Sequence, residues 1–528
     1  MFHENPSIRS GLLLKSALAI ATGLLFVACG DGSTISARGS SQSRYQKPVQ
    51  PLADWVGVIG TGQSLSIGAA AGTPISTMQP FNNLKLWDDG PDPRWPLDGS
   101  GILSLLPLTE RFRPSGLPGW PDSQYPNNLS GETPNAGMAN EITQLWLSRT
   151  GTDFVTIHSV VGWSGHCLRD IDKSNPATRA YPGGLSEART FKRFADDAGK
   201  TFAYGAINIT HGECDAGAGG SPDYEAGLYQ LWLDYNEDLK AITGQAQDIP
   251  LLISQQSTIV GPRQTAVAVW KLGVDHPGAA YCVGPKYQYQ YASDNLHMEA
   301  AGYRRLGEKY AEVFDQVVNQ GIFWKPVQPQ SAVLSGRQII VTFDVPNPPL
   351  NWDENINPPH QQVHTAWANG RGFEVNDSTG ELTIASAEIV ADDTVVITLA
   401  AEPTGTNLLL RYALTQDGTG TQGGTDLGMH GQLRDSDTLV GYDIGTISAN
   451  MINGSIKITS VAPNGFITRT GRDVVDSDML PEGTIVKRKF SNTQMTLSNP
   501  WGGPSGTADL TFHHDQHNYC VQFEIPIL

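Results

Sequence analysis

Five short apolar runs, Trp55–Gly60, Phe154–Val161, Phe202–Ile209, Leu251–Ser254 and Ala280–Val283, punctuate the stretch from Trp55 to Phe323, with amphipathic segments between them. This alternation constrains the chain more than any other feature. Parallel strands cannot be joined by tight turns, and a helix is the compact crossover, so the pattern predicts an α/β domain with a mostly parallel sheet. Between the third and fourth runs, Ser221-Pro222 reads as the cap and first turn of a helix. Leu228, Leu231, Trp232, Tyr235, Leu239 and Ile242 then repeat at helical spacing, and Gly244 is the stop. A last helix is predicted over 298–318, with Tyr303, Leu306, Tyr310, Phe314 and Val317 on the face that packs on the sheet.

Beyond Pro326 the helical period disappears. Runs at 332–343, 380–399 and 408–414 are β-rich and split by Gly, Asn, Asp and Pro, which reads as a β-sandwich. Residues from about 444 to 513 are rich in Gly, Thr and Ser. They are read either as a small separate β-module or as an insertion before a closing strand at Cys520–Ile525. With 528 residues, more than one core is expected. The expected layout is an export signal over 1–29, a tether over 30–53, the α/β domain over 54–325, a β-sandwich-like domain over 326–440, and a β-rich module or insertion plus closing strand over 441–528.

The N-terminus carries Arg9 and Lys15, then the apolar run Ala17–Ala28, too short to span a bilayer comfortably. It ends in Phe26-Val-Ala-Cys29, which resembles a bacterial lipobox and implies acylation at Cys29 and a lipid anchor in the cell envelope. The other reading is an ordinary cleaved signal with an incidental cysteine. Cys167, Cys214, Cys282 and Cys520 would then lie in a compartment where disulfides persist. Cys167 and Cys214 fall beside candidate catalytic loops, so they either staple those loops together or are two small buried thiols. The net charge of −18 and the absence of a basic stripe argue against nucleic acid as a partner. The charge does not choose between glycan substrates.

At the carboxyl end of the first run stands Gly60-Thr-Gly62-Gln63-Ser64. Ligands of open α/β sheets bind outside the strand carboxyl ends, and Gly62 permits the tight turn that would free the Ser64 N–H. Near the end of the domain comes Asp294-Asn-Leu-His297. A serine hydroxyl needs a base, imidazole titrates near neutrality, and a carboxylate three residues away can hold the ring in one tautomer. The plainer alternative is that Asp294 caps the last helix. Two further loops follow strand candidates: Gly162-Trp-Ser-Gly165-His-Cys-Leu-Arg-Asp170, and Thr210-His211-Gly-Glu213-Cys-Asp215. The remaining histidines show no metal-ligand spacing.

In their order Ser, Gly, polar-Gly-Glu and Asp-x-x-His, these four loops resemble the blocks of the SGNH (GDSL-like) hydrolases. They are most similar to the sialate O-acetylesterase-like carbohydrate esterases, over about Trp55 to Phe323. The resemblance implies a flavodoxin-like α/β/α sandwich that works without metal or organic cofactor. It makes Ser64 the nucleophile, His297 the base and then acid, and Asp294 its orienting partner. The oxyanion donors would be the N–H groups of Ser64 and Gly165 with a side chain from the third block, His211, where the most similar enzymes have Gln. Gln63, Gly162, Glu213 and Asp215 would support the site, and Gly162 is the second candidate for the donor given to Gly165. The expected function is hydrolysis of O-acetyl groups on a poly- or oligosaccharide. The rivals are an esterase for other acyl or lipid esters, and a non-catalytic carbohydrate-binding surface lipoprotein.

Overall fold

The computed structural model describes residues 50–86, 104–110, 131–175, 178, 180–217, 219–442, 445–469 and 472–528. The expected export signal, Cys29 and most of the tether lie outside the described residues. A seven-stranded sheet is built from β1 (Trp55–Gly62), β2 (Leu84–Leu86), β3 (Leu105–Pro107), β4 (Val155–Val160), β5 (Phe202–Thr210), β6 (Leu251–Gln255) and β7 (Ala280–Pro285), in the order β3-β2-β4-β1-β5-β6-β7. The five long strands are parallel and run β4-β1-β5-β6-β7, the flavodoxin-like order, in which the sheet switches direction at β1. Only β3, at the edge, is antiparallel.

Helices α1 (Pro134–Thr150), α2 (Leu168–Ile171), α3 (Ala180–Asp197), α4 (Glu213–Ala216), α5 (Tyr224–Thr243), α6 (Thr265–Asp275) and α7 (Ala300–Phe314) complete the domain. Helices α1 and α7 cover one face of the sheet and α3, α5 and α6 the other, giving three α/β/α layers. The short α2 and α4 lie in the loops after β4 and β5. Helix α5 stops at Gly244 in the left-handed conformation, as its sequence predicts, but its cap is Asp223, whose carboxylate accepts the Ala226 N–H at 3.0 Å. Ser221 lies two residues before that cap, outside the helix, and its N–H donates to Asp215 at 2.6 Å.

The C-terminal third adds two β structures. Strands Gln328–Ser335, Gln338–Asp344, Ile384–Ala391 and Thr394–Leu399 form one sheet; Phe373–Asp377, Gly380–Glu381, Leu409–Tyr412 and Phe523–Pro526 form another. Their core is continuous with the α6 side of the first domain, where the Trp270 and Phe523 rings lie 6.0 Å apart. A six-stranded antiparallel sheet between Gly445 and His513 has a separate apolar core that includes Ile458, Phe466, Leu510 and Phe512. It is inserted ahead of the strand Phe523–Pro526, which returns to pair with Leu409–Tyr412.

Helix α7 is shorter than its apolar pattern suggests. It ends at Phe314 and passes into a π-helical turn, Asp315–Asn319. Every residue of α7 is buried. Tyr303, Leu306, Tyr310 and Phe314 meet the sheet, while Arg305 pairs with Asp473 of the inserted sheet and Lys309 reaches the Gln516 carbonyl at 3.0 Å and Asn518 at 2.7 Å. A helix that reads as amphipathic is thus covered on its polar face by buried charge.

Candidate active site

Strand β1 delivers Ser64 to the carboxyl edge of the sheet. Gly62 has φ +137°, and a Cβ there would lie 2.2 Å from the Thr210 carbonyl oxygen, so only glycine lets β1 turn against β5 at this point. Ser64 then opens a single 3₁₀ turn, Ser64–Ile67. As the first residue of that turn its N–H has no intrahelical acceptor, which leaves it available to a developing oxyanion. The residue is buried, with only 7% exposure, in contrast to the exposed turn that a strand end suggests.

The Ser64 hydroxyl lies 2.8 Å from His297 Nε2, and His297 Nδ1 lies 2.7 Å from Asp294 Oδ2. The other Asp294 oxygen accepts the backbone N–H groups of Leu296 and His297, both at 3.0 Å. Asn295 adopts a left-handed conformation, φ +54°, which closes this turn. Partial burial pushes the Asp294 carboxyl up, but the hydrogen bonds from the His297 ring and the two backbone N–H groups outweigh it and hold the group below the ordinary carboxylate value. With Asp294 as acceptor, Nδ1 carries the proton and Nε2 faces the Ser64 hydroxyl as an acceptor. Ser64 and His297, 233 positions apart in sequence, are brought together by the sheet itself.

The second loop presses on the nucleophile turn. Trp163 N–H donates to the Gly62 carbonyl at 2.9 Å, and a Cβ on Gly162 would fall 1.8 Å from Ser66 Oγ. Gly162 is therefore a close-approach position. Gly165 sits at an exposed left-handed bend of the same loop, φ +75°, with open space around it.

The third loop is a correction to the expected oxyanion site. His211 is fully buried: its Nε2 donates to the His166 carbonyl at 3.1 Å and its Nδ1 accepts from the Tyr224 hydroxyl at 2.9 Å. Burial pushes the ring below the ordinary imidazole value, which keeps it neutral. A neutral ring has one N–H, and the His166 carbonyl already takes it, so His211 offers nothing to an oxyanion. It is a strut between two loops. Asp215 acts alike, accepting Leu168 N–H at 2.8 Å and Ser221 N–H at 2.6 Å. A Cys167–Cys214 disulfide, with Cα atoms 5.0 Å apart, joins the same two loops, while Cys282 and Cys520 are buried free thiols.

Behind Ser64 runs a buried polar relay. Gln63 donates to Glu213 at 3.1 Å and accepts the Cys214 N–H at 3.2 Å, and Glu213 forms an ion pair with Lys286 at 2.5 Å. Lys286, fully buried just beyond β7, escaped the sequence reading. Its position at a strand carboxyl end was the only signal, since no spacing rule links a lysine there to a glutamate 73 residues earlier. Glu132 closes the other side of the turn, accepting the Ile75 and Ser76 N–H groups at 2.8 and 3.0 Å while its own carbonyl blocks any side chain at Gly68. Among the described residues no cluster of His, Cys, Asp and Glu is arranged to hold a metal ion.

No protein-family model matches this chain, and no curated protein does. Similar solved structures include a carbohydrate acetylesterase from Xanthomonas citri, 13% identical, covering 68% of this chain and 75% of that one with a TM-score of 0.41. A carbohydrate acetylesterase from Sinorhizobium meliloti is 12% identical over 50% of this chain and 98% of its own, with a TM-score of 0.26. An aryl esterase from M. smegmatis is 14% identical over 50% and 98%, with a TM-score of 0.27. These are distant similarities of fold, and the chemistry of the site is read from its own geometry.

Proposed function

We propose that this protein is a serine esterase of the SGNH-hydrolase type that removes O-acetyl groups from carbohydrate. The observation that carries this reading is the unbroken chain Asp294–His297–Ser64, with both hydrogen bonds short and the outer oxygen of Asp294 anchored to backbone. His297 Nε2 takes the Ser64 proton as Oγ attacks the acetyl carbonyl, and the Ser64 N–H, with Gly165 N–H as its expected companion, faces the oxyanion. Collapse of the tetrahedral adduct breaks the bond between the acyl carbon and the sugar oxygen, that oxygen takes the proton from His297 and leaves as the sugar hydroxyl, and an acetyl group is left on Ser64 Oγ as an ester. Water activated by His297 then hydrolyses that ester. No step asks for a metal or organic cofactor. Release of acetate from a panel of acetylated glycans, lost in Ser64→Ala, is the test; equal release by a folded Ser64→Ala protein overturns the mechanism.

We also propose export and lipid anchoring through Cys29. The signal-like residues 1–29 support this, as does a Cys167–Cys214 bond of the kind that persists in oxidising compartments. Detergent phase partitioning that Cys29→Ser shifts to the aqueous phase is the expected result.

A further inference from the structure

A cleft of about 750 Å³ opens beside the catalytic turn. Tyr291 and Asn295 line it from the loop that carries Asp294 and His297, residues 423–426 from the sandwich side, and Lys487, Arg488 and Lys489 from strand Val486–Ser491 of the inserted sheet. A Cβ on Gly423 would lie 2.2 Å from the Tyr291 ring, so glycine lets the sandwich close directly on the catalytic loop. The cleft belongs to all three parts of the chain at once.

Its charge is opposite to that of the protein. The chain has 53 Asp and Glu against 35 Lys and Arg, yet five cationic side chains and a single carboxylate, Asp426, line this space. Two of the five are committed to carboxylates: Arg305 to Asp473, and Arg472 to Asp353 at 3.4 Å. The other three are adjacent in sequence. Lys487 and Arg488 are exposed and, among the described residues, form no ion pair; Arg488 rests on the Phe490 ring at 4.9 Å. Lys489 is half-buried, donates to the Ile467 carbonyl at 3.3 Å and is faced by Glu299. Asp426 is held by the Asn357 amide at 2.7 Å, away from any ion pair. Like charges gathered in a concave space raise the local concentration of anions, and the amides of Asn295, Asn355 and Asn357 offer the hydrogen-bonding partners that sugar hydroxyls take.

We propose that this cleft binds an anionic stretch of polysaccharide, and that the substrate is an acetylated glycan bearing carboxylate or sulfate groups, with its acetylated unit presented to Ser64. The proposal rests on the esterase reading and deepens it. The inserted sheet is then a specificity element that brings Lys487, Arg488 and Lys489 to an edge where the cation of the first domain, Arg305, is already paired with Asp473.

The test compares acetylated polygalacturonate, an acetylated sulfated galactan and neutral acetylated glucomannan. In Lys487→Gln/Arg488→Gln/Lys489→Gln, kcat/KM on the anionic substrates relative to the neutral one falls by about tenfold, the scale of a few charge-assisted contacts, and the arm that falls further identifies the anion. Salt at about 0.5 M lowers the same ratio in the wild type. A ratio that neither the triple substitution nor salt moves overturns the proposal. Calorimetric binding of polygalacturonate and of dextran sulfate to Ser64→Ala separates the two readings. Salt-sensitive binding weakened by the triple substitution supports the cleft even if no glycan releases acetate, a result that would sink the esterase reading instead. No binding of either polyanion overturns the cleft while leaving the esterase standing.

Discussion

The front of the active site and the polar layer behind it are built from the same residue types and behave as opposites. In front, the Asp294 side chain is 43% exposed and that of His297 14%. Behind, Lys286, His211 and Asp215 are fully buried and Glu213 nearly so. The front chain of side chains ends on the Ser64 hydroxyl, whereas the bonds behind tie the loops after β1, β4, β5 and β7 to one another. A proton can therefore move in front at little cost to the fold, while a charge removed behind strands its partner in a low dielectric. On the proposed mechanism the partly exposed Asp294–His297 pair handles the proton and the buried layer positions the Ser64 turn, so the two should respond differently to substitution.

The largest effect on rate is expected at the front. Ser64→Ala and His297→Ala should each lower kcat on p-nitrophenyl acetate by about 10⁴-fold or more, with a stability change of about 1 kcal/mol or less. A thermal melt beside the rate measurement reads both. A comparable loss of stability would mean that the front is structural as well, and the contrast between layers would fail.

Next comes Asp294→Asn, with a loss of up to about 10⁴-fold and smaller than that of His297→Ala, because the backbone of the turn still positions the ring. Since Asp294 is held below the ordinary carboxylate value, it stays ionised throughout the range in which imidazole titrates. Asp294 should therefore contribute no acid-side ionisation to the pH dependence of wild-type kcat in that range. An ionisation that appears in the wild-type profile there and disappears in Asp294→Asn would show that Asp294 titrates in the working range and contradict its assignment.

Behind the nucleophile, Lys286→Met should destabilise the protein by about 3–5 kcal/mol by leaving Glu213 buried and unpaired. It should slow turnover up to about 10²-fold through misplacement of Gln63 and the Ser64 turn. Glu213→Gln/Lys286→Met should regain most of the stability. If the double variant is no better than the single one, the relay is not held together by the ion pair.

The smallest effect on rate is expected at the loop staple. Cys167→Ser/Cys214→Ser should cost about 2–4 kcal/mol of stability, as for a loop closed over 47 residues, and only a few-fold in kcat. His211 and Asp215 still tie the two loops in that variant. A loss as deep as that of Asp294→Asn would move the disulfide from scaffold to active-site geometry.

The legible part of this molecule is the part that repeats or sits close in sequence. Apolar runs announced β1, β4, β5, β6 and β7, and Asp294 and His297, three residues apart, announced their own contact. Partners far apart with no periodic signal were not legible. His211 looked like an oxyanion donor because its position beside Gly-Glu suggested one, yet its ring nitrogens are spent on His166 and on Tyr224, the first residue of α5. Lys286 had no sequence pattern to mark it. The run Lys487-Arg488-Lys489 is too short to read as a basic stripe, and only its placement opposite Asn295 gives it a setting.

What the sequence by itself determined is the strand–helix alternation, hence the parallel sheet with its loops at the carboxyl edge, and the local chemistry of Ser64 and of the Asp294–His297 turn. These follow from steric and hydrogen-bonding rules acting over a few residues. Tertiary structure decided which side chains behind the nucleophile hold one another, that the polar face of α7 is covered, and that a cationic strand from an inserted sheet stands beside the catalytic turn. Those outcomes depend on burial and on charges brought together across hundreds of residues, and such energies exist only once the chain is packed.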